Sequence, residues 1–439
     1  MSGDGQAAAI DPTPKRLLAL TVPAVAVGVL AALVLWLLDE AALGLEWVLW
    51  DAAPGLVGVD GDSGWWIFIT LTIVGLLVGL VLWLVPGHGG PDSATVELDA
   101  PVQPMKYVPG IALASILTLG GGVSLGPESP IIGIITAMTV WALTKLWPQF
   151  PVRLSVVLAL AGTIGALFGT PIAAALVLTG PVAAAPGRGS LWDRLFLPVA
   201  AASAGAVTTH LLGGGIHPVP GIEPYGGPQP LDIVWGMLIA TVAAGLGLLT
   251  AWALPPLHRL LRRLMRHPFL VPAVGGVLLG ALGAIGGPVT LFKGLDQSAE
   301  LIEGVDTYTA GQLAIILGVK MVALVVAAAA SFRGGRIFPA IFLGIATGML
   351  FHALVPDIPF GLALSAGVLG FTLAISRDGW IGIFAAIAIV GDITLIPMVC
   401  VAVLPAWLLV SRGPEMIVHP EHDETGPDEK APKDQSPSA

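Results

Sequence analysis

The chain has little charge, a single cysteine and few tyrosines, and each shortage excludes something. Only 11% of its 439 residues are Asp, Glu, Lys or Arg, where a soluble domain carries about 25%. So little charge cannot cover a large aqueous surface, so a bilayer is the expected solvent. The lone Cys400 rules out an intrachain disulfide and a cysteine-based metal site. The net charge of −10 comes largely from loops and tails and gives no case for a nucleic-acid partner. No metal site and no cofactor is expected.

What the chain does have is apolar length: 55% of it is hydrophobic. Apolar runs cover Leu17–Leu38, Trp65–Val85, Val108–Leu119, Ile131–Trp147, Leu154–Leu178 and Leu195–Leu212. They continue at Leu231–Leu254, Phe269–Ile285, Leu313–Ala330, Ile337–Leu354, Gly361–Ile375 and Trp380–Leu409. Several approach the roughly 20 residues needed to span, and others are short or interrupted. With 57 Gly and 37 Pro, broken helices are expected, which membranes tolerate only where they line a cavity or pack on protein. The expected fold is an all-α polytopic membrane domain over 15–414. A short disordered N-terminus (1–14) precedes it and a polar, disordered tail (415–439) follows.

Charge placement orients it. Lys15 and Arg16 precede the first run, which is longer than a signal-peptide core and lacks a convincing cleavage site, so it reads as a retained span. The next loop carries Asp39, Glu40, Glu46, Asp51, Asp60 and Asp62, whereas Arg259, Arg262, Arg263 and Arg266 follow Leu231–Leu254. By the positive-inside rule both basic groups are cytoplasmic, the acidic loop and the acidic 293–307 loop are outside, and both termini are cytoplasmic in a plasma (inner) membrane protein. Many of the 13 tryptophans, such as Trp65, Trp66 and Trp147, sit where interface anchors belong.

Three glycine-rich breaks stand out: Pro86-Gly87-His88-Gly89-Gly90-Pro91, the stretch from Gly120 to Pro130, and Arg333-Gly334-Gly335-Arg336-Ile337-Phe338-Pro339. Glycine lets the backbone turn and expose amides, and a proline suits the start of the next helix. In the second break Glu128 stands between Pro127 and Ser129-Pro130, joining two apolar runs. An ionisable side chain at membrane depth costs roughly 2.5 to above 10 kcal/mol, so Glu128 reads as functional. A helix beginning at Pro130 directs its positive end back at that carboxylate, where an anion would bind. Breaks in both halves of a chain (about 15–213 and 230–414) are the pattern of inverted-repeat transporters. Backbone amides and helix dipoles suffice there to hold a small inorganic anion.

Gly122-Val123-Ser124-Leu125-Gly126-Pro127-Glu128-Ser129-Pro130 resembles the glutamate signature of the CLC chloride channels and proton/chloride antiporters. Gly335-Arg336-Ile337-Phe338-Pro339 and Gly87-His88-Gly89-Gly90-Pro91 resemble two further motifs of that family, in its order, and Ala161–Leu178 resembles its paired helices. The resemblance spans about residues 15–418 and implies a homodimer with one anion path per subunit, in a short branch without cytoplasmic nucleotide-binding domains. It implies that Glu128 is the gate. It also implies that Gly126, Pro127, Ser129, Pro130, Gly335, Arg336, Ile337, Phe338 and Pro339 line the anion site, and that Gly87, His88, Gly89, Gly90 and Pro91 form its inner end.

The departures shape the expected mechanism. The family's pore serine falls on His88, its phenylalanine position on Ile337 and its late pore tyrosine on Met416. Where its antiporters carry an inner relay carboxylate, this chain has Gly180 and Pro181. A passive channel gated by Glu128 is therefore the favoured expectation, with proton-coupled antiport the alternative and His88 or water then standing in for the relay. Of the two arginines at the third break, Arg336 is expected beside the anion path, and Arg333 is expected to snorkel or to pair with Asp378 or Glu415. A reading of a different class is open too: Gly122-Val123-Ser124-Leu125-Gly126 fits the nucleophile elbow of a serine hydrolase, which needs a strand–turn–helix and a histidine. No such strand pattern precedes it, and the protein is not expected to be an enzyme.

Overall fold

The computed structural model describes residues 13–96, 101–184, 189–216, 218–219 and 221–419. They form sixteen α-helices and no strand, only an isolated bridge between Gly126 and Gly335. In chain order the first eight are α1 (Pro14–Glu46), α2 (Ala53–Val57), α3 (Gly64–Leu84), α4 (Val108–Gly120), α5 (Glu128–Leu146), α6 (Val152–Phe168), α7 (Pro171–Ala184) and α8 (Leu191–Leu211). The rest are α9 (Pro230–Leu264), α10 (Leu270–Gly286), α11 (Leu295–Glu303), α12 (Ala310–Ala329), α13 (Ile337–Leu354), α14 (Phe360–Ser376), α15 (Gly379–Val390) and α16 (Ile396–Val410). Seven helical stretches are long and apolar enough to cross a membrane, and shorter apolar helices fill in between them.

Small residues set the packing, as expected where lipid removes the hydrophobic drive between helices. A Cβ at Gly75 would lie 2.7 Å from the Cα of Gly276, so α3 and α10 cross almost backbone to backbone. The center of the protein is α13 and α14. Ile337 to Met349 and Gly361 to Ile375 are buried throughout, and apolar on all sides, as a helix walled in by other helices should be. Outward-facing apolar side chains such as Leu37, Trp252 and Leu404 are exposed, as lipid contact requires.

One span separates two faces. The 21 residues of α3 rise about 31 Å, enough to cross a bilayer core. At its Gly64 end lies the C-terminal end of α10, with Gly64 packed against Ala284. The next loop brings Lys293 to Asp39 of α1. At its Leu84 end the chain enters the first glycine-rich break, and there Asp92 meets Arg262 near the end of α9. The acidic loops and the basic cluster thus sit on opposite faces, as the charge pattern requires.

At Glu415, where the polar tail (415–439) was expected to begin, the chain is still tied to the fold at two points. Met416 is buried, its carbonyl accepts from Arg336, and the Val418 amide donates to Ala94 O at 2.7 Å. Residues 420–439 lie outside the described residues, as do 1–12.

Candidate functional site: a carboxylate between two cavities

The second and third breaks meet. Gly126 N donates to Gly335 O at 2.9 Å and Gly335 N to Gly126 O at 2.7 Å, so each break satisfies the other's backbone at a depth where water cannot. Two helices start from this junction. The helix expected from Pro130 begins two residues earlier: Glu128 is the first residue of α5, and Pro130 still falls in the first turn, where its missing N–H costs nothing. Across the junction α13 starts at Ile337.

Glu128 is 1% exposed, and the amide of Phe338, in the first turn of α13, donates to its Oε1 at 2.7 Å. The carboxylate therefore sits where an anion would sit, on the positive end of a second helix. The two paired glycines make the room. A Cβ at Gly335 would fall 2.1 Å from Oε2 of Glu128, and one at Gly126 would fall 2.3 Å from it.

A cavity opens on each side of this carboxylate. On the Asp39 face, a cavity of about 200 Å³ is floored by Pro127 and Phe338 and bounded by Asp39, Lys293 and Asp296. On the opposite face, a cavity of about 10 Å³ lies against Ser129, Pro130 and Gly133 of α5, with Gly89, Ser93 and Arg333 across from them. That is room for a single water-sized occupant. A larger cavity, about 740 Å³ and bounded by Tyr225, Asp232 and His352, shares no residue with either.

The inner end is built differently from the expectation. His88 is exposed, with φ +51°, and its Nδ1 lies 2.7 Å from Leu82 O, so the ring is held against the end of α3 rather than at the cavity. The hydroxyl at the cavity belongs to Ser93, which donates to Phe332 O at 2.6 Å and accepts from Gly334 N at 2.9 Å. The arginines also trade places. Arg333 neither snorkels nor reaches Asp378 or Glu415. It is buried at the cavity, donating to Gly89 O and His88 O at 3.0 Å each and to Ser331 O at 3.2 Å, with Asp92 at 3.8 Å. Arg336, also buried, reaches Met416 O and Val96 O and ties the C-terminal segment to the third break.

Asp92 is the hub of this end. Its Oδ2 lies 2.5 Å from Arg262, 3.3 Å from His258 and 3.2 Å from the Ser331 hydroxyl. Burial works against its charge. The His258 hydrogen bond, the nearby Arg333 and Arg262 and the Ala94 amide outweigh that and hold its carboxyl well below the usual range.

Sequence reading missed Lys320. Fully buried in α12, its Nζ donates to carbonyls among Thr290 O, Leu291 O and Phe292 O, which lie 3.0, 2.7 and 2.8 Å away, and sits over the Phe342 ring of α13. Ser124 donates to the same Thr290 carbonyl at 3.1 Å, and Phe292 N donates to Gly122 O at 3.0 Å. Lys320 thereby fixes the 290–292 loop against the second break. A lysine inside an apolar run was the only available signal. These contacts do not build the nucleophile elbow that the hydrolase reading needs: Ser124 is buried, follows a helix rather than a strand, and spends its hydroxyl on a carbonyl.

A carboxylate on a helix N-terminus, inside a shell of broken apolar helices, is the architecture of a multi-pass ion-transport protein. The sequence profile described as "Voltage gated chloride channel" matches residues 70–411, and the chain belongs to that family. Curated relatives in Escherichia coli O139:H28 and Shigella boydii serotype 4, each named "Putative ion-transport protein YfeO", are 42% identical over 94% of this chain and 99% of their own. Among solved structures the chain is similar to one described as a CLC-type fluoride/proton antiporter. The TM-score is 0.70, the identity 17%, and the match covers 92% of this chain and 98% of that one. It is also similar to a slow cyanobacterial Cl−/H+ antiporter (TM-score 0.72, 16% identity, covering 89% and 94%).

These likenesses correct one expectation. The preference for a passive channel rested on Gly180 and Pro181 in place of a relay carboxylate. Solved structures that share this fold are proton-coupled antiporters, so the fold does not favour a channel over an antiporter.

Proposed function

We propose that the protein exchanges a monovalent anion, chloride or fluoride, for protons across the cell membrane, with Glu128 as both gate and proton carrier. The observation that carries this is the Glu128 carboxylate on the amide of Phe338, between two cavities. Ionised, the carboxylate competes with the anion for the α13 N-terminus. Protonated, it loses the charge that holds it there, and an anion takes its place. One carboxyl group thus alternates between a proton and an anion, which couples the two fluxes. The relatives' ion-transport name and the two antiporter structures support the same reading.

The anion path in this reading is lined by Gly126, Pro127, Ser129, Pro130, Gly335, Ile337, Phe338 and Pro339, and it ends inward at Gly89 to Pro91 with Ser93 and Arg333 beside them. The protein works as a homodimer in the plasma membrane with both termini cytoplasmic. Orientation is supported by Lys15, Arg16 and the Arg259–Arg266 cluster. The test is the reversal potential in planar bilayers under a fixed anion gradient, with and without a pH gradient. A reversal potential that moves with pH is expected; one fixed at the anion's equilibrium value would end the coupled reading.

A further inference from the structure

The two mouths of the path carry opposite charge. On one face the cavity floored by Pro127 and Phe338 is bounded by Asp39, Asp296 and Lys293. A second hollow beside it is bounded by Asp39, Glu46, Lys293 and Asp296. Lys293 lies 3.8 Å from Asp39, both partly exposed, so one cation faces three carboxylates. Glu40 and Asp51 act on the same group of charges and are acidic too. On the other face the cavity is bounded by the Arg333 guanidinium, backed by Arg262 and His258, which share the single carboxylate of Asp92. A cleft lined by one sign of charge concentrates its counter-ions, by tenfold or more when the walls are apolar.

We infer that Asp39, Asp296 and Lys293 form an electrostatic filter at one mouth that makes the two faces kinetically unequal: protons gather and anions depart more readily on the Asp39 face, and anions are taken up more readily from the Arg333 face. The filter leaves the thermodynamic driving forces unchanged. It makes the half-saturating anion concentration unequal on the two faces, so the protein works more readily as an anion exporter driven by inward protons. This rests on the antiporter reading. Lys293 offsets part of the field, and the loop that carries it is held by Lys320 through Thr290, Leu291 and Phe292.

The test uses the full chain in right-side-out and inverted membrane vesicles, with chloride as the probe and proton uptake recorded in parallel. The half-saturating chloride concentration is expected to be at least threefold higher on one face. Asp39→Asn and Asp296→Asn should each lower that value by about threefold to tenfold at low ionic strength and leave the other face unaltered. Lys293→Gln should raise it. These shifts should shrink as ionic strength rises and the Debye length falls, and Asp39→Glu should restore the native value. If the Asp39–Lys293 pair only holds the loop, Asp39→Asn and Lys293→Gln will move the value the same way, without salt dependence, and the inference fails. Equal half-saturation on both faces of the native protein also overturns it. If native vesicles move chloride without protons, the antiporter reading itself is wrong, a separate outcome read in the same experiment.

Discussion

Replacing Glu128 by glutamine tests the gate most directly, because the side chain keeps its shape and loses its charge. In the native protein an anion must displace a carboxylate that accepts a 2.7 Å hydrogen bond from Phe338 N. A hydrogen bond to a charged group contributes about 1.5–3 kcal/mol. The glutamine oxygen can still accept a neutral bond of about 0.5–1.5 kcal/mol, so the difference is about 1–1.5 kcal/mol, and at about 1.4 kcal/mol per tenfold Glu128→Gln should tighten anion binding roughly fivefold to tenfold. Calorimetric titration of detergent-purified protein with chloride and with fluoride measures this, and the effect should appear for whichever anion is carried. In proteoliposomes the same variant should keep anion flux, lose the accompanying proton movement and lose the dependence of flux on external pH. Glu128→Ala should behave alike, with faster flux because the place stays open. A glutamine variant that still moved protons with each anion, or bound anion no tighter than the native protein, would refute the competition on which the gate rests.

Gly335→Ala puts a Cβ where the Glu128 carboxylate sits, 2.1 Å from Oε2. It should expel the gate and copy the uncoupled flux of Glu128→Ala, with no further change in the double variant. Lys320→Met takes their donor from the Leu291 and Phe292 carbonyls and leaves Thr290 O with Ser124 alone, which should cost about 1.5–3 kcal/mol and lower the Tm of the purified protein. Asp92, whose pKa is depressed on folding, stabilises the fold fully above its unfolded value near 3.9 and loses that contribution only as pH falls towards the folded value. The Tm penalty of Asp92→Asn should thus be constant from about pH 7 to 5 and shrink below about pH 4. Ser124→Ala should transport normally, and neither it nor the native protein should label with serine-directed probes.

What could be read from the sequence was whatever is local along the chain. The breaks, the prolines that open α5 and α13, and the improbable carboxylate at Glu128 all lie within a few residues of the signals that betray them. Charge order gave the two faces, since α3 alone connects Asp60 with Asp92. What stayed hidden are partners that only the folded chain brings together. Asp92 meets His258 and Arg262 from 166 and 170 positions away, and no periodicity announces such a pairing. The arginines show the limit most clearly. Arg333 and Arg336 are three residues apart at the same break, and motif position favoured Arg336. The turn between them sends Arg333 to the α5 cavity and Arg336 towards Met416. The His88 ring is turned away from the cavity for a similar reason. Its positive φ and its bond to Leu82 O turn the ring back onto α3, and the cavity hydroxyl comes from Ser93, five residues later. A motif thus fixes where the backbone opens, while the side chains that charge each mouth are supplied by whichever residues the opening faces. In the exchange proposed here, the residues so supplied are Arg333 and Ser93 at one end and Asp39 and Lys293 at the other.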